Sequence, residues 1–389
     1  MQVISARLAG KYSKHCISLQ VLLWRTATSS PLRSYDGIRV GKRFHKKVNC
    51  HSSSFPSAID EKLFNELEKD FWNAPLSQVV SDKPRESYIV EEDVSVLDAV
   101  QRMVSNNVEA FHVVSSKTPG ALRLGVFNER DFIHLLASQR SSDLHRQRLK
   151  DVLSKRSHDI IGGLYESVRN SLSLMEKHKS QLIPLTMRPN QPRENITYRD
   201  CAQILSSSDL RNFLITQVSA DALRCLELVS IGEILPSLNR ESRNTDHLVT
   251  VDARERVADA CKRMIDREVG CLITSTWEES NPLNPYPNYN ALLTQRDIIV
   301  QYLKMGDKLL AMPMGEAFSS KPVRVSSPNY TLFQVLEMLY EDDSRYSLVF
   351  STEQGDAEDS TSRCLALVSL AVAKFVKNMF LNSIRFIDM

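Results

Sequence analysis

The chain has 389 residues, 42% of them apolar and 25% charged, with a formal net charge of +2. That balance suits a globular fold with room for two cores and argues against a molecule that is polybasic throughout. Only 12 glycines are present, and no Walker-A run, G-x-G-x-x-G, G-x-S-x-G or H-E-x-x-H occurs, which argues against enzymes built on glycine-rich phosphate loops, nucleophile elbows or that zinc helix.

The seven cysteines (Cys16, Cys50, Cys201, Cys225, Cys261, Cys271, Cys364) are odd in number and never spaced C-x-x-C. A disulfide framework or zinc site is not expected, and a reducing compartment fits. Charge is unevenly spread. Residues 1–55 hold ten Lys and Arg against one acid, Asp36, which leaves the remainder at about −7. Residues 1–35 contain no acid and are rich in Arg, Lys, Ser, Leu and Ala, the composition of an organelle import leader. The apolar run 17–24 is too short to span a bilayer. Arg33-Ser34-Tyr35 resembles the mitochondrial processing site with arginine at minus three, with cleavage before Asp36. A mitochondrial matrix protein is expected. A plastid leader, a secretory signal and a merely disordered basic arm are the alternatives, and Lys42, Arg43, Lys46 and Lys47 would sit on a solvated tail.

Residues 57–72 read as an amphipathic helix with Ile59, Leu63, Leu67 and Phe71 four apart, packed on the neighbouring domain or held out for a partner's groove. An internal repeat comes next. In the first copy Tyr88–Val90 is a strand and Ser95–Ser105 a helix with Val96, Leu97, Val100 and Met103 on one face. Strands 111–114 and 122–127 follow across Pro119-Gly120, and Asn128-Glu129-Arg130-Asp131 opens helix 132–138. The second copy has a helix at 167–178, a strand at 182–186, and Ser206-Ser207-Ser208-Asp209 opening its last helix. The third has a strand at 248–251, a helix at 255–267, strands at 270–274 and 291–293, and Thr294-Gln295-Arg296-Asp297 opening helix 298–303. The fourth has a strand at 323–325, a helix at 332–340, strands at 347–350 and 364–368, and a closing helix from about Ala371. Polar insertions at 275–290 and 353–362 read as surface loops.

The order and the Ser/Thr-x-x-Asp helix openings resemble the CBS domain, the regulatory repeat named for cystathionine β-synthase. The resemblance covers about residues 76–380. It implies an α/β (α+β) fold of four βαββα repeats in two tandem Bateman modules, similar in architecture to the gamma subunit of AMP-activated protein kinase. The expected divisions are 1–56 leader and basic arm, 57–75 helix, 76–220 first CBS pair and 221–389 second pair.

The resemblance also implies sites for adenine nucleotides (AMP, ADP or ATP) or S-adenosylmethionine as regulatory ligands, with no catalytic cofactor or metal. A helix N-terminus suits phosphate, and a carboxylate one turn in can accept both ribose hydroxyls. Thr294 with Asp297 and Ser206 with Asp209 match fully, while Asn128 with Asp131 matches at the aspartate. In the fourth copy the position falls on Ala371 or Val372, which should bind ribose poorly. Arg130, Arg296, Arg211 and His112 are candidate phosphate cations, and residues near Val90, Phe111, Ile183 and Cys271 are candidates for the adenine slot. Each has an ordinary alternative. The same S/T-x-x-D pattern is a helix cap needing no ligand, and the apolar positions suit plain core. The function expected is a non-catalytic sensor that modulates an unidentified protein partner. A ligand-free scaffold is the alternative, a homodimer is allowed, no transmembrane segment is expected, and RNA contact through the basic arm is the least supported reading.

Overall fold

Serine and threonine before apolar helical stretches set the local structure. The Ser95 hydroxyl accepts the Asp98 N–H at 3.1 Å and so starts a helix at Val96 rather than at Ser95 itself. Thr331 and Gln334 form a reciprocal capping box before Leu332. The computed structural model describes residues 61–80, 82–115, 121–138, 144–153, 160–178, 180–233, 249–276, 288–318, 325–352 and 362–368. The leader, the Ala371 and Val372 positions and most of both polar insertions lie outside these residues. All described residues belong to one compact unit, Pro56–Met389, and among them no helix is long and apolar enough to cross a membrane.

The N-terminal element is helix α1 (Glu61–Leu67), which runs into a π-helical turn at Glu68–Trp72. Three βαββα units and a fourth described as βαββ come after it. The first is β1 (Ile89–Glu91), α2 (Val96–Ser105), β2 (Ala110–Val114), β3 (Arg123–Asn128) and α3 (Glu129–Ala137). The second is β4 (Gly162–Gly163), α4 (Val168–His178), β5 (Leu182–Thr186), β6 (Cys201–Ser206) and α5 (Ser207–Thr216). A linking helix, α6 (Ala220–Glu227), leads to the third unit: β7 (Thr250–Asp252), α7 (Val257–Asp266), β8 (Cys271–Thr276), β9 (Asn288–Thr294) and α8 (Gln295–Met305). The fourth has β10 (Val325–Ser326), α9 (Leu332–Glu341), β11 (Ser347–Thr352) and β12 (Ser362–Val368). In every unit the first strand pairs parallel with the second and the second antiparallel with the third. This is the expected α+β repeat, with helix starts and strand ends shifted by one to three residues.

The same backbone clamp recurs at each first helix. In the first unit Val96 N–H donates to Gln147 O at 3.0 Å and Leu149 N–H to Val94 O at 3.0 Å. In the third, Val257 N–H donates to Met312 O at 3.0 Å and Met314 N–H to Glu255 O at 2.8 Å. The clamp on the second unit comes from the segment before the first, through Leu76 N–H to Glu166 O at 2.8 Å and Val168 N–H to Ala74 O at 3.0 Å. The fourth unit is likewise clamped from before the third, through Ile231 N–H to Tyr330 O and Leu332 N–H to Val229 O, both 2.8 Å. The residues preceding each pair therefore complete its second member. Accordingly α1 packs against α6, its counterpart in the other pair.

Helix faces join units from opposite halves of the chain. One core combines Val100, Met103, Phe132 and Ile133 of the first unit with Val257, Met264 and Ile298 of the third. There α3 packs on α7 and α8, and Phe132 meets Tyr302 edge to face at 5.5 Å. The other core combines Leu172, Leu210 and Phe213 of the second unit with Val335, Leu336 and Leu339 of the fourth. Leu67, Phe71, Trp72 and Leu76 from the N-terminal segment complete it. Within the first half, β2 meets β6 across the sheets.

Candidate functional site

The three closing helices among the described residues each start from a full capping box. Asn128 Oδ1 accepts Asp131 N–H at 3.0 Å while Asp131 Oδ2 accepts Asn128 N–H at 2.9 Å. Asp209 Oδ2 accepts from Ser206 N–H at 2.8 Å and Ser206 Oγ at 2.7 Å. Asp297 Oδ2 accepts from Thr294 N–H at 2.9 Å and Thr294 Oγ1 at 2.8 Å. The capping role is thus real in all three. In each case these bonds use Oδ2, and a carboxylate offers about four acceptor positions, so capping and ribose recognition are chemically compatible at Asp209 and Asp297.

The opposite rim is built by the turns that end the first helices. Asn107, Glu268 and Asp343 have φ of 50°, 55° and 47°, and each turn carries a six-to-one and a five-to-two backbone bond. These are Val108 N–H to Met103 O and Asn107 N–H to Val104 O in the first unit, with Ser344 N–H to Leu339 O and Asp343 N–H to Tyr340 O in the fourth. The turn reverses the chain and aims the next residues at the middle of the molecule. Thirteen residues beyond the first helical residue stand Glu109, Gln181, Gly270 and Arg345 in the four units. Arg345 pairs with Glu109 at 3.2 Å, and Gln181 Nε2 donates to Tyr346 Oη at 3.2 Å. A Cβ at Gly270 would lie 2.6 Å from that Tyr346 oxygen, so this position admits no side chain without movement.

Between these turns and the capping boxes lies a cavity of about 630 Å³ lined by all four units. The second unit contributes Ser206 and Asp209, the third Thr294, Arg296 and Asp297, the first Glu109, and the fourth Arg345. Tyr88, Val108, Leu182, Ile204 and Leu292 supply its apolar wall. Its volume lies within the range of about 300–1,000 Å³ typical of small-molecule sites.

Five of the eight expected ligand residues thus come together: Ser206, Asp209, Thr294, Asp297 and Arg296. Asn128, Asp131 and Arg130 do not line the cavity. Arg130 instead reaches Glu268 on the third unit's turn at 3.7 Å. Arg296 mirrors it toward the first unit, pairing with Glu129 at 2.5 Å and donating to the carbonyls of Met103 at 3.2 Å and Val108 at 2.5 Å. It is a structural clamp here, not an idle cation. Arg211 is buried, pairs with Asp343 at 3.5 Å and donates to the Ser344 carbonyl. His112 is 1% exposed. Burial and the neighbouring Arg123 hold its imidazole down to about 3, so it stays neutral and supplies no positive charge for phosphate. The expected adenine-slot residues Val90, Phe111, Ile183 and Cys271 are all buried away from the cavity. Leu182 and Ile204 face it instead, because successive strand residues point to opposite sides.

The residues that the sequence reading missed are Glu109, Glu129, Arg345 and Lys83. Arg345 bridges Glu109 to Glu129, the latter at 2.7 Å, and Lys83 Nζ donates to Asn107 O at 2.5 Å. Aligning the four units from their first helices puts opposite charges at one repeat position, Glu109 and Arg345, and that signal could have found the pair. Burial raises the Glu109 carboxyl above its ordinary range against the pull of Arg345, and it raises Asp209 despite the Ser206 bonds.

Burial also raises Asp131, to about 6. A folded-state value above the unfolded one means that the native state binds more protons, so this group favours folding below about pH 4 and loses that contribution as pH rises through 6. Asp131→Asn should flatten the fall in stability between pH 4 and 6, read from urea midpoints at each pH. An unchanged slope would show that Asp131 does not carry it.

No protein-family model matches the sequence, and no curated protein matches it. Among solved structures, protein MJ1225 from Methanocaldococcus jannaschii, described as a proposed archaeal homolog of g-AMPK, is similar at 12% identity. The match covers 76% of this chain and 97% of that one, with a TM-score of 0.54. The chain has the four-repeat CBS fold. An uncharacterized conserved protein from Pyrococcus horikoshii matches at 12% identity over 76% of this chain and 96% of its own, with a TM-score of 0.43. CBS domain protein PAE2072 from Pyrobaculum aerophilum, complexed with AMP, matches at 16% identity over 35% of this chain and 89% of its own, with a TM-score of 0.27. The cavity lies where all four units of that fold meet.

Proposed function

We propose that this CBS-repeat chain is a non-catalytic regulatory protein that binds an adenosine-containing ligand in the central cavity and passes that occupancy to a protein partner. The observation that carries the reading is the convergence of two ribose-type capping boxes, Ser206–Asp209 and Thr294–Asp297, from opposite halves of the chain on one cavity. A ligand held there touches all four repeats, so it binds their alternative arrangements with different affinity, which is what coupling to a partner requires. The acid-free leader supports a mitochondrial matrix location, which import of a tagged chain with and without residues 1–35 would test.

Thermal unfolding of the full chain with AMP, ADP, ATP and S-adenosylmethionine is the direct test. A ligand at 100 times its Kd adds about 2.7 kcal/mol if it binds only the folded state. That gain should vanish in Asp209→Ala and in Asp297→Ala, while each loses about 0.5–2 kcal/mol of intrinsic stability with the cap. Full retention of the ligand effect in both variants would refute the site. A ligand-free scaffold is the second reading, favoured by the engagement of Arg296 and Arg345 in ion pairs within the protein. The absence of any shift with all four ligands would favour it.

A further inference from the structure

The central cavity carries an excess of negative charge beyond its two ribose-type aspartates. Glu109, Asp342 and Asp343 also line it, making five carboxylates against three cations, Lys83, Arg296 and Arg345. None of the three cations is idle. Arg345 is held by Glu109 at 3.2 Å and Glu129 at 2.7 Å, and Arg296 by Glu129 at 2.5 Å. Lys83 donates to the Asn107 carbonyl. The positive ends of α5 and α8 are likewise occupied, by the chain's own Asp209 and Asp297.

We infer that this cavity selects a ribonucleoside whose 5′ substituent is neutral or positively charged, and discriminates against one bearing a phosphate chain. The inference rests on the ribose-site reading above and deepens it. Ribose hydroxyls are neutral donors, and they satisfy the Asp209 and Asp297 carboxylates without adding charge. A phosphate chain finds one lining cation held by a backbone carbonyl, Lys83, and to recruit more it has to draw Arg345 or Arg296 away from Glu109 and Glu129. That leaves carboxylates with little solvent around them uncompensated, Glu129 being 5% exposed at its side chain. A cationic 5′ group has the opposite effect, because the surplus of lining carboxylates attracts it, although Arg345 and Arg211 already pair with Glu109 and Asp343.

Isothermal titration of the full chain with adenosine, S-adenosylmethionine, AMP and magnesium-free ATP at one ionic strength tests this. Expected is tightest binding of S-adenosylmethionine, then adenosine, then AMP, with ATP at least about tenfold weaker than adenosine. The double variant Asp342→Asn with Asp343→Asn keeps both capping boxes, and asparagine suits the φ of 47° at position 343. It should narrow the gap between adenosine and ATP at least about threefold and weaken S-adenosylmethionine. Tighter binding of AMP or ATP than of adenosine by the parent chain would overturn the charge selectivity while leaving the ribose site standing. An unchanged gap in the double variant would overturn it as well. Failure of all four ligands to bind a chain that unfolds cooperatively would overturn the ribose site itself.

Discussion

Arg345→Met should lower the unfolding free energy by about 3–5 kcal/mol, the usual cost of removing one partner from a buried charge network. Arg345 pairs with both Glu109 and Glu129, and its own side chain is only 24% exposed. Its removal strands Glu109 in a position where burial already raises its carboxyl. Glu129 keeps Arg296 and is better protected. Urea unfolding at pH 7 measures the loss. Adding Glu109→Gln to Arg345→Met should restore at least about 1 kcal/mol, because a neutral amide needs no cation. A loss below about 0.5 kcal/mol would mean that solvent, not Arg345, compensates these carboxylates.

Phe71→Ala should cost a similar amount, about 3–5 kcal/mol. Phe71 is 1% exposed, stacks on Phe213 of the second repeat at 6.3 Å and meets Trp72 edge to face at 5.0 Å. The π-helical turn that carries both rings is closed by Asn73 N–H on Glu68 O at 2.9 Å. A helix merely resting on the surface would cost under about 1 kcal/mol when truncated, and that result would refute the placement. Circular dichroism and tryptophan fluorescence should give coincident transitions if the segment melts with the rest.

Much of the repeat was legible because it rests on local patterns. Val96, Val100 and Met103 recur at helical spacing and are all fully buried, and the Ser/Thr-x-x-Asp openings form capping boxes at the positions the pattern implies. No first strand was legible in the second copy because that strand is Gly162–Gly163. Glycine carries no strand signal, and here it is used for close approach, since a Cβ at Gly162 would lie 2.9 Å from Ile183 Cγ2. The site was less legible than the fold. The sequence pattern places the ligand slot near Ile183 without fixing which side of the strand faces the cavity; Leu182 lines it and Ile183 is buried, since a one-residue step in a strand changes face. The pairing of Arg345 with Glu129 spans 216 residues, and no local pattern announces it.

The two cores carry a consequence for how the chain comes into being. Val100 and Phe132 need Val257 and Ile298 to cover them, and Leu172 and Phe213 need Val335 and Leu339. A ribosome that has released only the first half has therefore made two repeats whose helix faces are still wet. Neither core closes before the third and fourth repeats emerge, and closing such distant contacts is slow. During that interval the exposed helices are a standing client for a chaperone. A fragment ending near Val229 should aggregate when made alone and become soluble when the missing half is supplied in trans.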